Sequence, residues 1–198
     1  MNPESVVSPS LPLAEPSASE SSRLVRRAAS VVLGSLLVAV CAHVAVPLWF
    51  TPVPVTLQTF AVLFLGLILG PGVAASAMIL YLFEGMAGLP MFSPVGPSGF
   101  LHILGPTGGY LLAYPAAAAL AGLLRRRMGR GGFAPSLIAA AVASVLILLS
   151  GALWFGLYSH NAPSAVVTLA VAPFLPGDIL KIIAAAGAAT GLRRFKRR

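Results

Sequence analysis

Long apolar runs, separated by brief polar or glycine- and proline-rich breaks, dominate the chain from position 31 onward. The runs are Val31–Phe50, Thr59–Leu69, Leu111–Leu124, Leu137–Leu157, Ala165–Leu175 and Ile179–Leu192. In hydrocarbon no water is present to satisfy the backbone, so such runs predict helices that close their own hydrogen bonds. The stretch "PLWFTPVPV" (Pro47–Val55) breaks the chain after the first run, "GPG" (Gly70–Gly72) makes a compact turn, and Gly85–Gly109 breaks it again. Beyond the fourth run, "YSHNAPSA" (Tyr158–Ala165) parts the last two. These breaks predict six spans, near 30–50, 56–70, 72–88, 106–124, 134–158 and 165–192. The second and third are shorter than the roughly 20 residues of a perpendicular crossing. The expected fold is an all-α, six-transmembrane-helix bundle.

Composition agrees with lipid as the solvent. The 198 residues are 58% hydrophobic and 9% charged, whereas a soluble domain carries about 25% charged residues. The net charge of +8 raises nucleic acid as a partner, but its distribution argues against that. The basic residues form three clusters, Arg23/Arg26/Arg27, Arg125/Arg126/Arg127/Arg130 and Arg193/Arg194/Lys196/Arg197/Arg198, each abutting the end of an apolar run. That is the positive-inside pattern. It predicts a multi-pass protein of the cell (inner, cytoplasmic) membrane, with both termini cytoplasmic and no nucleic-acid partner. Residues 1–22, rich in Ser, Pro and Glu, are expected to be a disordered polar leader, and 23–198 the membrane domain. The single cysteine, Cys41, excludes an intrachain disulfide framework and reads as a small buried hydrophobe.

On this topology three segments face outward, Trp49–Val55, Gly85–Gly109 and Tyr158–Pro163, with Pro173–Asp178 just below. The polar and turn chemistry gathers there, so a pocket opening outward is expected. Trp49, Phe92, Tyr110, Trp154 and Tyr158 fall near that boundary, as interfacial belt residues or as pocket walls.

Charge inside the apolar part is scarce. Across Ser30–Leu124 and Gly131–Leu192 only Glu84, Asp178 and Lys181 carry it. In "LPGDILKII" (Leu175–Ile183), Asp178 and Lys181 stand at i and i+3, neighbours on one helix face. Pro173 and Pro176–Gly177 suggest that the last span is interrupted there, leaving Asp178 at a helix N-terminus where the backbone dipole favours a carboxylate. Charge inside a membrane is costly, so the pair is a candidate site, with an interfacial ion pair as the alternative. In "LGPTGGYL" (Leu104–Leu112), Thr107, Gly108, Gly109 and Tyr110 open the fourth span. Glycines there can present backbone N–H groups to a ligand, or simply form a tight re-entry turn. The segment lacks the Lys-Ser/Thr ending of a nucleotide-binding loop. In "PVPVTLQTF", Thr56, Gln58 and Thr59 start the second span, as ligand contacts or as hydrogen-bonding glue between helices. Glu84 is a lone carboxylate near the outer end of the third. His43, His102 and His160 share no metal spacing, so neither metal nor cofactor is expected. Ser35 and Ala39 form a small-xxx-small pair on the first span, suited to close packing within the chain or against a partner.

Taken in order, "TPVPVTLQTFAVLFLGLILGP", "GLPMFSP", "LGPTGGYLL" and "PGDILK" resemble the BioY family, the biotin-specific substrate-binding (S) components of energy-coupling factor (ECF) transporters. The resemblance covers roughly residues 25–192. It implies a six-helix membrane protein that captures biotin from the outer side and is no enzyme. It further implies coupling to a transmembrane T component and a pair of ABC-type ATPases. Asp178 and Lys181 match the family's polar pair in the last helix. The ureido ring of biotin offers N–H donors and a carbonyl, and its valerate ends in a carboxylate, so these side chains suit it, with Gly108–Tyr110 as further donors. The segment "SPVGPSGFLH" is a looser match, and leaves Ser93, Ser98 and His102 as candidates. The family's T-component contact maps onto Ser35 and Ala39, with Ser where Ala is usual. Two other readings stand beside this one: an S component for another small vitamin, and a proton-coupled carrier acting without ATPases.

Overall fold

The computed structural model describes residues 18–129 and 132–195. In chain order the elements are α1 (Ala18–His43), β1 (Ala45–Leu48), β2 (Thr51–Thr56), α2 (Gln58–Leu69) and α3 (Pro71–Met86). There follow α4 (Phe100–Leu104), α5 (Gly108–Arg127), α6 (Phe133–Ser159), α7 (Pro163–Ala170) and α8 (Leu175–Phe195). Among the described residues three helices are long and apolar enough to cross a membrane: α1 from Glu20 onward, α6 and α8. Two shorter apolar helices, α2 and α3, accompany them. The chain is thus a membrane-spanning helical bundle, and large apolar side chains such as Leu33, Val40, Leu149, Leu153 and Leu180 point outward from it. In water that surface would be a liability; facing lipid it is the expected solution.

Two elements differ from expectation, and a third follows it. The first helix is displaced toward the N-terminus. Arg23, Arg26 and Arg27 belong to α1, which begins at Ala18 and ends at His43. Helix therefore includes residues 18–22 of the expected leader, while residues 1–17 lie outside the described residues. The bundle is also not purely α-helical. The end of the expected first span and the break after it form an antiparallel hairpin, with Ala45 opposite Thr56, Val46 opposite Val55 and Leu48 opposite Thr51. Prolines 47, 52 and 54 cannot donate to a ladder or continue a helix, and a two-stranded ribbon tolerates them at its edges. A hairpin alone is marginal; this one is tied to α7 by the Thr51 hydroxyl, which donates to the carbonyl of Leu169 at 2.9 Å. Finally, the last span is divided into α7 and α8 by a turn at Val171–Phe174. This is the interruption that Pro173 and Pro176–Gly177 suggested, and it puts Asp178 in the first turn of α8.

Helices α2, α5 and α8 run parallel. Their first turns meet around one cavity and their last turns around another. Small residues allow the approach: a Cβ on Gly66 of α2 would stand 2.7 Å from the carbonyl oxygen of Ala118 in α5. The buried core between the helices includes Leu63, Leu67, Met78, Tyr81 and Phe155.

Candidate functional site

At the end of the bundle that carries the hairpin, the first turns of α2, α5 and α8 converge on a cavity. Its walls are largely apolar, with Val53, Leu111, Ile147, Leu148 and Phe174, and a few polar groups converge among them.

Two of these are Asp178 and Lys181. Lys181 Nζ donates to Asp178 Oδ1 at 3.2 Å, and the two side chains are 11% and 12% exposed for Lys181 and Asp178 respectively. Among the described residues this is the one hydrogen bond that either side chain makes. The second carboxylate oxygen and two ammonium protons keep their bonding capacity, at a site where little water is at hand to use it. The Asp178 backbone N–H is already engaged, donating to the Phe174 carbonyl at 2.8 Å.

Gln58 anchors the α2 side. Its Oε1 accepts from the Thr56 hydroxyl at 2.9 Å and from the Tyr114 hydroxyl at 3.4 Å, and its Nε2 donates to the Tyr81 hydroxyl at 2.5 Å. Four elements, β2, α2, α3 and α5, are thereby joined through one amide, so the same residue serves as cavity wall and helix glue. On the α5 side, Tyr110 donates its hydroxyl to the Ala170 carbonyl at 2.5 Å, and Thr107 closes the wall beside it. From the segment between α3 and α5, Ser93 and, in α4, His102 reach the cavity. His102 Nδ1–H donates to the Pro97 carbonyl at 2.7 Å, which leaves Nε2 as the acceptor. Burial holds the ring's pKa below its usual 6.5, partly offset by that bond, and favours the neutral imidazole.

Of the candidates read from the sequence, Asp178, Lys181, Thr56, Gln58, Ser93, His102, Thr107 and Tyr110 line this one cavity. The others do not. Gly108 and Gly109 face the helical packing: a Cβ at Gly108 would collide with the Ile103 carbonyl, and one at Gly109 would stand 2.6 Å from the Ser150 carbonyl oxygen. The N–H groups of Gly108 and Tyr110 are taken by the carbonyls of Gly105 and Thr107, so these two are not offered to a ligand. Glycine is needed here for close approach of α5 to α6. Glu84 lies outside the cavity, its Oε2 buried without a hydrogen-bond partner among the described residues. Ser98 lines a separate depression, in the segment between α3 and α4. Ser35 and Ala39 are buried within the chain, which takes the small-residue pair on α1 as intramolecular packing; the neighbouring Gly34 would bring a Cβ to 2.9 Å from that of Ala77 in α3. Phe92 is likewise buried, against Gly85 and edge-on to Tyr81, rather than at a lipid boundary.

Tyr114, Ile147 and Phe174 were not legible as site residues. Tyr114 stands one turn beyond Tyr110 on the same face of α5, a spacing that places it in the same wall. Ile147 is one apolar residue in a helix full of them, and carries no comparable signal.

The model of the BioY family matches residues 13–198. A probable biotin transporter BioY of Pyrococcus horikoshii is 38% identical over 130 residues, covering 66% of this chain and 74% of that protein. The biotin transporter BioY2 of Lactococcus lactis is 33% identical over 153 residues, covering 77% of this chain and 82% of the other. Among solved structures, the S-component for biotin from an ECF-type ABC transporter superposes with a TM-score of 0.81 at 22% identity, over 91% of this chain and 95% of that one. The superposition establishes the shared fold, and the family match over nearly the whole chain establishes kinship: this chain belongs to the BioY family.

Proposed function

We propose that the chain binds biotin in the cavity between α2, α5 and α8 and serves its uptake as the S component of an ECF transporter. The observation that carries this reading is the buried Asp178–Lys181 pair, which retains both acceptor and donor capacity beside an apolar wall, in a member of the BioY family. Biotin is complementary to that combination. Its ureido N–H groups can donate to the free Asp178 oxygen, and its carbonyl or carboxylate can accept from Lys181. Its thiophane ring and valerate chain suit Leu111, Ile147, Leu148 and Phe174.

The same reading gives the chain six passes, with both termini and the three basic clusters on the cytoplasmic side of the cell membrane. The cavity then opens outward. Energy for uptake comes from a transmembrane T component and ABC-type ATPases, since the sequence carries no nucleotide-binding loop of the Lys-Ser/Thr type. Uptake of labelled biotin by biotin-auxotrophic cells expressing the chain, with and without an ECF module, tests this. Uptake competed by excess biotin but by no other vitamin is expected. Competition by a different vitamin, and not by biotin, would reject the assignment.

A further inference from the structure

Two residues border both the ligand cavity and the depression beside it. Ser93 and His102 line the cavity, and they also line the depression in the segment between α3 and α4. Both are buried, with 8% of Ser93 and 4% of His102 exposed. The His102 ring is held from two sides. Its Nδ1–H donates to the Pro97 carbonyl at 2.7 Å, and Phe92 packs on the ring with centroids 5.0 Å apart. Nε2 is thereby left an acceptor, with no hydrogen-bond partner among the described residues. The Ser93 Oγ accepts from the Val95 N–H at 3.4 Å, so its own proton remains to be donated.

The pair thus offers one neutral donor and one neutral acceptor. Among the described residues neither bonds to Asp178 or Lys181. Neither the cavity nor the depression has a Lys or Arg side chain other than Lys181, which Asp178 already engages. A carboxylate buried against Ser93 and His102 would face an acceptor nitrogen and no counter-charge, which is costly. A secondary amide suits them instead: its N–H donates to Nε2, and its carbonyl accepts from the Ser93 hydroxyl. Beyond the pair, Leu89, Pro90, Pro94 and Gly96 wall the depression and are themselves exposed. A polar group attached to the amide nitrogen keeps its water there.

We propose that Ser93 and His102 form a subsite for amide-linked biotin, in which the valerate carboxyl is condensed with an amine such as the lysine side chain, and that the depression takes the substituent. The assignment rests on the cavity being a biotin site, with the ureido ring on Asp178 and Lys181. Biotin, biotin N-methylamide and Nε-biotinyl-lysine are titrated into the purified full chain in detergent. The same titrations are made with His102→Phe and Ser93→Ala, with thermal unfolding to show that each sample is folded. Both amides are expected to bind the native chain within about fivefold of biotin, or more tightly. His102→Phe keeps an aromatic ring against Phe92 and removes the acceptor, so it is expected to weaken both amides more than it weakens biotin. Should that variant fail to fold, Ser93→Ala, which breaks only the long bond from the Val95 N–H, carries the same comparison. Amides bound more weakly than that by the native chain would overturn the proposal, leaving the free carboxylate as the recognised group. Losses in a folded variant that do not distinguish the amides from biotin would overturn it as well. Absence of binding by biotin and amides alike in the folded native chain would instead reject the biotin site itself, and the subsite with it.

Discussion

The hydroxyl of Tyr110, near the start of α5, donates to the carbonyl of Ala170, the last residue of α7, at 2.5 Å. Sixty residues apart in sequence, the two groups fix the turn from which α8 departs and hence the position of Asp178. Replacing Tyr110 with Phe leaves the buried Ala170 carbonyl without that donor, at a cost of about 1–3 kcal/mol. The expected result is a lower unfolding temperature in detergent together with weaker biotin binding, because the removed bond positions the wall that faces the ligand. An unchanged melting temperature would show that the bond does not hold the turn.

Asp178 and Lys181 separate a structural from a ligand-binding role. Truncating Asp178 to Ala strands the Lys181 ammonium in a buried site, a loss of about 3–5 kcal/mol when a buried pair is broken. Replacing both residues with apolar groups, as in Asp178→Leu/Lys181→Met, removes the unpaired charge and is expected to recover most of that stability without recovering biotin binding. Thermal unfolding and ligand titration of the same samples check both halves. Recovery of binding with stability would reduce the pair to a structural device.

Gly108 and Gly109 answer a different question. Alanine at either position meets the backbone of Ile103 or Ser150 and the Trp154 side chain, and overpacking of this kind costs about 1–3 kcal/mol. Gly109→Ala is therefore expected to destabilise the fold measurably. Loss of affinity with unchanged stability would instead return these glycines to the ligand.

His102 makes stability depend on pH. Its folded pKa lies below the ordinary 6.5 because burial disfavours the charged ring, so the unfolded chain binds more protons between the folded value and 6.5. The contribution of the neutral ring is complete above 6.5 and is lost as the pH falls toward and through the folded value. Unfolding temperatures from neutral to mildly acidic pH should fall more steeply for the native chain than for His102→Gln. Parallel curves would exclude His102 as the group responsible.

Much of this was legible in the sequence because charge is so rare in it. Asp178 and Lys181 stand out against apolar neighbours, and the prolines and glycine before them mark the helix restart that the structure contains. Gln58 and Tyr110 were legible for the same reason, as polar groups at the mouths of apolar helices. Gly108 and Gly109 stayed open between two roles, because a glycine looks alike whether it frees an N–H for a ligand or makes room for a neighbouring helix; the closeness of Trp154 and of the Ile103 and Ser150 backbone adds the weight of packing. Ser35 and Ala39 share that ambiguity between an internal and an external partner. The hairpin escaped because Ala45–Thr56 is as apolar as the helix before it, and hydrophobicity does not distinguish a buried ribbon from the end of a span. The cavity walls from α6 were hidden for a related reason: Ile147 looks like any residue that faces lipid.

The most direct test of the central claim is a parallel titration of biotin into the purified chain and into Asp178→Asn, in detergent, without partners or ATP. The account predicts saturable binding at one site in the native chain, competed by unlabelled biotin, and at least about tenfold weaker binding in the variant, equivalent to about 1.4 kcal/mol, with both proteins folded. Equal affinity in the two would contradict it.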